Sequence, residues 1–169
     1  MTYVIRKSTW ETNSSSVHAI VIKKNSPSLC YPEEIVFKCD DFGWEFDTFC
    51  DPNSKASYLY TMLHCLSDVN IQDDVDFIKD TLEEVGIKAS FVEEGSDCCY
   101  IDHPEDLQSL YESIFTKRNK DLLLSYLLCY SSVITTGNDN DDKYDYYKNG
   151  DEIDDDFNES DYELFTKGN

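Results

Sequence analysis

The sequence predicts an α+β fold in which an antiparallel sheet, made of N-terminal strands and a mid-chain hairpin, packs with about four helices and precedes an acidic C-terminal tail. Three stretches of hydrophobic patterning predict it: alternation up to about residue 39, helical spacing from residue 54, and alternation again near residue 89. The length of 169 residues and the aromatic content of 14% fit a single folded domain. We expect this domain over residues 1–137 and the tail over residues 138–169.

The N-terminal strands are predicted from alternating, β-branched segments. Residues 3–6 and 17–24 alternate apolar and polar side chains, which favours two antiparallel strands with one face in water. A third candidate strand covers residues 34–39. The acidic and aromatic segment 40–53 is expected to be a loop or a short edge strand.

Two helices are predicted next. Leu59, Met62, Leu63 and Leu66 recur at helical spacing after a possible N-cap at Asn53 or Ser54. A second apolar stripe runs from Ile71 to Val85 and ends before Gly86, where a left-handed C-terminal residue belongs. The face opposite this stripe carries the predicted acidic positions, namely Asp73, Asp74, Asp76, Asp80, Glu83 and Glu84.

The rest of the body is predicted as a hairpin and two further helices. Residues 89–92 and 98–101 form the hairpin, with Gly95 in its turn. Pro104 begins the third helix, and residues 122–134, apolar nearly all round, form a buried fourth helix. The tail has many aromatic residues, so we expect it to be partly ordered, or to become ordered on a partner.

Charge is the strongest compositional signal. The net charge is −21, and the acids cover both parts of the chain: residues 30–137 carry 7 basic and 22 acidic side chains, and residues 138–169 carry 3 and 12. A polyanion repels nucleic acid, so direct nucleic-acid binding is not expected. The expected partner is a basic protein surface.

The compartment and cofactors are predicted from what the sequence lacks. We see neither a signal peptide nor an apolar run long enough to cross a membrane, and the seven cysteines are an odd number. We therefore expect a cytoplasmic protein in a reducing compartment. Cys98, Cys99 and His103 cluster without the spacing of a zinc site, so no metal and no cofactor is expected.

The segment ETNSSSVH is the main candidate for chemistry. A hydroxyl among Ser14, Ser15 and Ser16 beside His18 suggests nucleophilic catalysis, which also needs an orienting carboxylate. The hydroxyls from Thr12 onward, with nearby Arg6 and Lys7, suggest a phosphate-binding loop instead. A third interpretation is a polar turn between two strands, because Thr, Asn and Ser bond their own backbone in turns.

The same segment carries a resemblance. The run KSTWETNSSSVHAIVI, residues 7–22, resembles the pattern F-E-T-N-S-S-S-x-H-S-hydrophobic near the start of small uncharacterised proteins of phages and mobile elements in Gram-positive bacteria. It departs from that pattern at Trp10, Val17 and Ala19. The resemblance implies an origin and not a mechanism. By type, a small and very acidic protein of this origin resembles anti-CRISPR proteins and DNA mimics.

These observations give one leading hypothesis. The protein is a non-enzymatic, phage-type inhibitor of a host nucleic-acid-binding defence protein, a CRISPR effector or another nuclease, whose basic channel it occupies with an acidic surface. The predicted surface combines the six acids of the second helix with tail residues Tyr146, Tyr147, Asp151, Glu152, Asp154, Asp155, Asp156 and Phe157.

Two alternatives remain open from the sequence. One is an enzyme or phosphate-ligand binder centred on residues 12–18. The other is a protein-binding module that acts by occlusion or dimerisation without mimicry, whose binding would depend little on salt.

Overall fold

The central element of the fold is a four-stranded antiparallel sheet, seen in a computed structural model that describes residues 16–26, 28–43, 46–67, 69–92, 100–138 and 159–167. Its strands are β1 (Ser16–Lys23), β4 (Asp47–Phe49), β7 (Val133–Asn138) and β8 (Tyr162–Lys167). Their order in the sheet is β4-β7-β1-β8. The predicted α+β class is confirmed.

The remaining strands form two small parallel pairs. β2 (Glu34–Phe37) pairs with β5 (Lys88–Phe91), and β3 (Asp41–Phe42) pairs with β6 (Tyr100–Ile101). Among the described residues, 88–91 and 100–101 pair with these earlier strands and not with each other, so the predicted mid-chain hairpin is wrong. Two consecutive helices supply the crossover that a parallel β2–β5 pair requires.

The described residues form four α-helices: α1 (Pro52–Cys65), α2 (Ile71–Glu84), α3 (Gln108–Tyr111) and α4 (Lys120–Leu128). A 3₁₀ turn over Pro104–Leu107 precedes α3, and a π turn over Glu112–Thr116 follows it. The N-cap of α1 is Asp51, whose carboxylate accepts the Ser54 N–H at 3.0 Å. The predicted caps Asn53 and Ser54 are wrong because Pro52 already occupies the first turn.

Two further expectations are corrected. The fourth helix ends at Leu128, and residues 133–138 form a strand instead, since an apolar run alone does not separate a buried helix from a buried strand. The predicted wetted face of β1 is absent over its first five residues, because all five of these side chains are buried. Residues 3–6 lie outside the described residues.

Part of the predicted tail belongs to the sheet. β8 pairs antiparallel with β1, and Phe165 is buried in the main core. Residues 139–158 lie outside the described residues. Within the described part of the chain, no helix has both the length and the apolar character needed to cross a membrane. Cys39 is disulfide-bonded, which the expectation of a reducing compartment did not predict.

A buried lysine joins α1 to the α4–β7 connection. Lys55 is 0% exposed, and its ammonium donates to the carbonyl oxygens of Cys129 at 2.7 Å and Ser132 at 3.1 Å. Burial lowers the pKa of Lys55 to about 8 from its ordinary 10.5, because the charged form loses solvation.

The Lys55 ammonium predicts a pH dependence of stability. Between the folded and the ordinary pKa, the unfolded chain holds this proton and the folded chain releases it, so raising the pH favours folding. The contribution of Lys55 to the free energy of unfolding should rise by about 1 kcal/mol from about pH 7 to about pH 9. Urea unfolding of the wild type and Lys55→Met across this range measures the difference. Parallel pH profiles of the two proteins would contradict it.

Candidate functional site

Helix α2 presents the acids that define the candidate surface. Val75, Ile78 and Leu82 are buried in the core, which turns the opposite side of the helix outward. This exposed side carries five carboxylates, which we call the acidic stripe: Asp73, Asp76, Asp80, Glu83 and Glu84. The sequence prediction of an acidic outer face is correct for these five positions.

The spacing within the acidic stripe resembles that of a nucleic-acid strand. Asp73, Asp76, Asp80 and Glu83 follow one another at steps of three or four residues along one face, and Glu84 lies four residues after Asp80. From Asp73 to Glu84 the helix rises about 16 Å, which gives roughly one charge per 4 Å. A single DNA strand carries about one charge per 3.4 Å along the helix axis. The charge densities are therefore close.

The neighbours of the acidic stripe orient some of these carboxylates and neutralise few of them. Side-chain amides of Asn70 and Gln72 donate to Asp73 at 2.7 Å and to Asp76 at 2.9 Å. Lys120 forms an ion pair with Glu84. Within the described ranges, no ion pair involves Asp80 or Glu83, which line a shallow depression of about 330 Å³.

Asp74 does not belong to this surface, contrary to the prediction. It is 3% exposed, accepts the Tyr111 hydroxyl at 3.0 Å and lies 3.3 Å from the Arg118 guanidinium. Burial raises the pKa of the Asp74 carboxyl, although both partners oppose the shift. Arg118 also covers the ring of Phe77 at 5.0 Å and bonds the Asp73 carbonyl. Asp74 is thus an anchor between α2 and the α3–α4 region.

This anchor was missed although the sequence contains a signal for it. Asp74 follows Ile71 by three residues and precedes Ile78 by four, so helical spacing places it at the border of the apolar face. Its partners Tyr111 and Arg118 lie 37 and 44 residues away along the chain. No local pattern predicts contacts at that separation.

The predicted tail residues of the surface lie outside the described residues. They are Tyr146, Tyr147, Asp151, Glu152, Asp154, Asp155, Asp156 and Phe157. Whether they join the acidic stripe therefore stays a prediction.

The described end of the segment 12–18 is deeply buried. His18 is 0% exposed, and its Nδ1 lies 2.8 Å from the Tyr58 hydroxyl while Nε2 lies 3.3 Å from the Gly43 carbonyl. Since a carbonyl only accepts, we assign the proton to Nε2 and let Nδ1 accept from Tyr58. These contacts hold the imidazole inside the core.

Ser16 uses a different partner. Its hydroxyl and its backbone N–H both lie 3.4 Å from the Asp102 carboxylate, and Ser16 is 0% exposed. These contacts stabilise the start of β1 and give no solvent-accessible nucleophile. Thr12, Ser14 and Ser15 lie outside the described residues.

The described residues hold no cluster of three or more side chains suited to a metal ion. His103 is exposed beside Asp102 at 3.7 Å and Glu105 at 3.4 Å. Cys98 and Cys99, which the sequence groups with His103, lie outside the described residues.

Comparison of the chain with protein-family models, with curated proteins and with solved structures finds no match.

The Asp74–Arg118 contact predicts an energetic coupling. Arg118→Ala leaves a buried carboxylate without its cation, and should lower the free energy of unfolding by about 1–3 kcal/mol. Asp74→Asn removes that charge, so Arg118→Ala should cost less in its presence. A double-mutant cycle by urea unfolding measures this coupling, and additive effects would show that the pair is not coupled.

The His18–Tyr58 contact predicts a structural role for the histidine. Tyr58→Phe removes one buried hydrogen bond and should destabilise the fold by about 1 kcal/mol. The matched control is Tyr31→Phe, at a side chain that is 59% exposed, which should change stability little. Equal effects of the two substitutions on the denaturation midpoint would contradict the assignment.

Proposed function

We propose that this protein is a non-enzymatic inhibitor that occupies the basic, nucleic-acid-binding surface of another protein. The observation that carries the proposal is the acidic stripe, five exposed carboxylates on one rigid helix at nearly the charge spacing of a DNA strand. Lysine and arginine side chains of the partner protein, which are spaced to contact successive phosphates, would find carboxylates at similar intervals along α2.

The proposal depends on a fixed array of charges and not only on the net charge. α2 packs on the core through its apolar face and through the Asp74–Arg118 contact, so the acidic stripe does not have to be ordered on binding. Less conformational entropy is then lost on association. The net charge of −21 adds long-range attraction, which accelerates encounter with a basic partner and weakens as salt rises.

The class of target follows from the resemblance of residues 7–22 to phage and mobile-element proteins. An acidic protein of such origin would benefit its bearer by blocking a host defence nuclease, and a CRISPR effector combines a basic channel with exposure to the phage. We therefore propose an anti-CRISPR-like role in the cytoplasm of an infected bacterium. The interior positions of Ser16 and His18 favour this role over a catalytic one.

Neutralising the acidic stripe tests the proposal. A variant with Asp73→Asn, Asp76→Asn, Asp80→Asn, Glu83→Gln and Glu84→Gln should inhibit target-DNA cleavage by a sensitive RNA-guided nuclease at least tenfold less well, about 1.4 kcal/mol of binding. The measurement is the inhibitory concentration in a cleavage assay over a panel of purified CRISPR nucleases.

A matched control keeps the total charge equal. Glu33→Gln, Asp40→Asn, Asp47→Asn, Glu112→Gln and Asp121→Asn remove the same number of exposed acids from other elements. This control should inhibit nearly as well as the wild type. An equal loss of inhibition in both variants would show that net charge alone, and not the acidic stripe, causes the inhibition. A wild-type protein that inhibits no nuclease in the panel would contradict the proposed target class.

A further inference from the structure

β5 has one side of its backbone unused. The Lys88 N–H bonds the Glu33 carbonyl at 3.0 Å and the Val92 N–H bonds the Phe37 carbonyl at 2.9 Å, so residues 88, 90 and 92 face β2. In a parallel ladder the residues between them point the other way. In the described part of the chain, nothing bonds the N–H or C=O groups of Ala89 and Phe91 on that side.

A groove runs beside this open edge. It has a volume of about 450 Å³ and lies between the C-terminal half of α2 and the start of β5. Ala89 and Phe91 are half-buried, and Val92 at the end of the strand is 36% exposed. The residues that line the groove are Lys79, Glu83, Gly86, Ile87, Lys88 and Ala89.

Two lysines and one glutamate line the groove, so the carboxylates of α2 are the groups that a cationic occupant would contact. Lys88 is paired with Glu34 at 2.6 Å, and the Lys79 ammonium lies 5.2 Å above the Phe91 ring. Glu34 therefore neutralises Lys88, whereas Lys79 keeps its charge while it lies over the Phe91 ring. Glu83 lines the groove without an ion pair among the described residues, and Asp80 lies one turn earlier on the same helix.

An open strand edge is a template for pairing, which proteins usually block with proline, a bulge or charge. β5 contains no proline, and its lysine is neutralised by Glu34. We infer that an extended basic segment of the partner protein adds to β5 as a third strand, bonded to Ala89 and Phe91, with its cations toward Glu83 and Asp80. This inference rests on the proposed function, since it names how the basic partner docks next to the acidic stripe.

Amide hydrogen exchange of the full chain, followed by NMR, tests the edge directly. The probe is a capped peptide of alternating lysine and valine. In the free protein the amides of Ala89 and Phe91 should exchange fast while those of Ser90 and Val92 are protected. Saturating peptide should slow Ala89 and Phe91 at least tenfold. Protection of Ala89 and Phe91 before any peptide is added would overturn the inference.

Two controls separate strand addition from simple charge attraction. The same peptide, N-methylated at alternate residues on its pairing edge, keeps its charge and should give no protection. Ala89→Pro removes the outward N–H at an edge position that tolerates proline, and should abolish the peptide effect while Ser90 and Val92 stay protected. Equal protection by the methylated peptide would overturn strand addition. Equal protection by an unmethylated glutamate–valine peptide would overturn the basic character of the added segment.

The cleavage assay distinguishes this inference from the proposed function. Ala89→Pro should weaken nuclease inhibition at least tenfold, as neutralising the acidic stripe does. Full inhibition by Ala89→Pro with loss in the neutralised variant would reject strand addition and leave the proposed function standing. Full inhibition by both variants would reject both.

Discussion

The burial of the apolar face of α2 is the constraint on which the candidate surface depends. Val75, Ile78 and Leu82 pack into the core, and each such burial contributes about 1.5–3 kcal/mol. Like charges three or four residues apart oppose the helix by only about 0.2–0.5 kcal/mol per pair. The apolar contacts therefore win, and they keep a row of mutually repelling carboxylates on one rigid face.

The same packing connects the acidic stripe to the rest of the molecule. Asp74 and Arg118 tie the first turns of α2 to the segment between α3 and α4, and Gly86, at a φ of 79°, turns the chain from α2 into β5. The parallel pairing of β5 with β2 then leaves an open strand edge next to Glu83. The acidic helix α2 and the open edge of β5 lie next to each other because α2 leads directly into β5 in the connection from β2.

Sequence reasoning succeeds here where the pattern is local. The helical spacing of Ile71, Val75, Ile78 and Leu82 predicts α2 almost to the residue, and with it five of the six acids assigned to its outer face. It fails where pairing with a distant segment determines the structure. β5 and β6 have the alternating pattern of hairpin arms, but they pair with β2 and β3. Residues 133–138 belong to an apolar run that predicts a helix, but they form a strand. Helical spacing alone assigns Asp74 to the surface, because the partners that bury it, Tyr111 and Arg118, are distant in sequence.

Competition between this protein and nucleic acid for one site tests the central claim most directly. A labelled oligonucleotide is first bound to a nuclease that the protein inhibits. The wild-type protein is then added to this complex at two salt concentrations, and the fluorescence anisotropy of the oligonucleotide is measured. The account predicts complete displacement of the oligonucleotide, with an affinity that falls as salt rises. A stable ternary complex of nuclease, oligonucleotide and protein would contradict it.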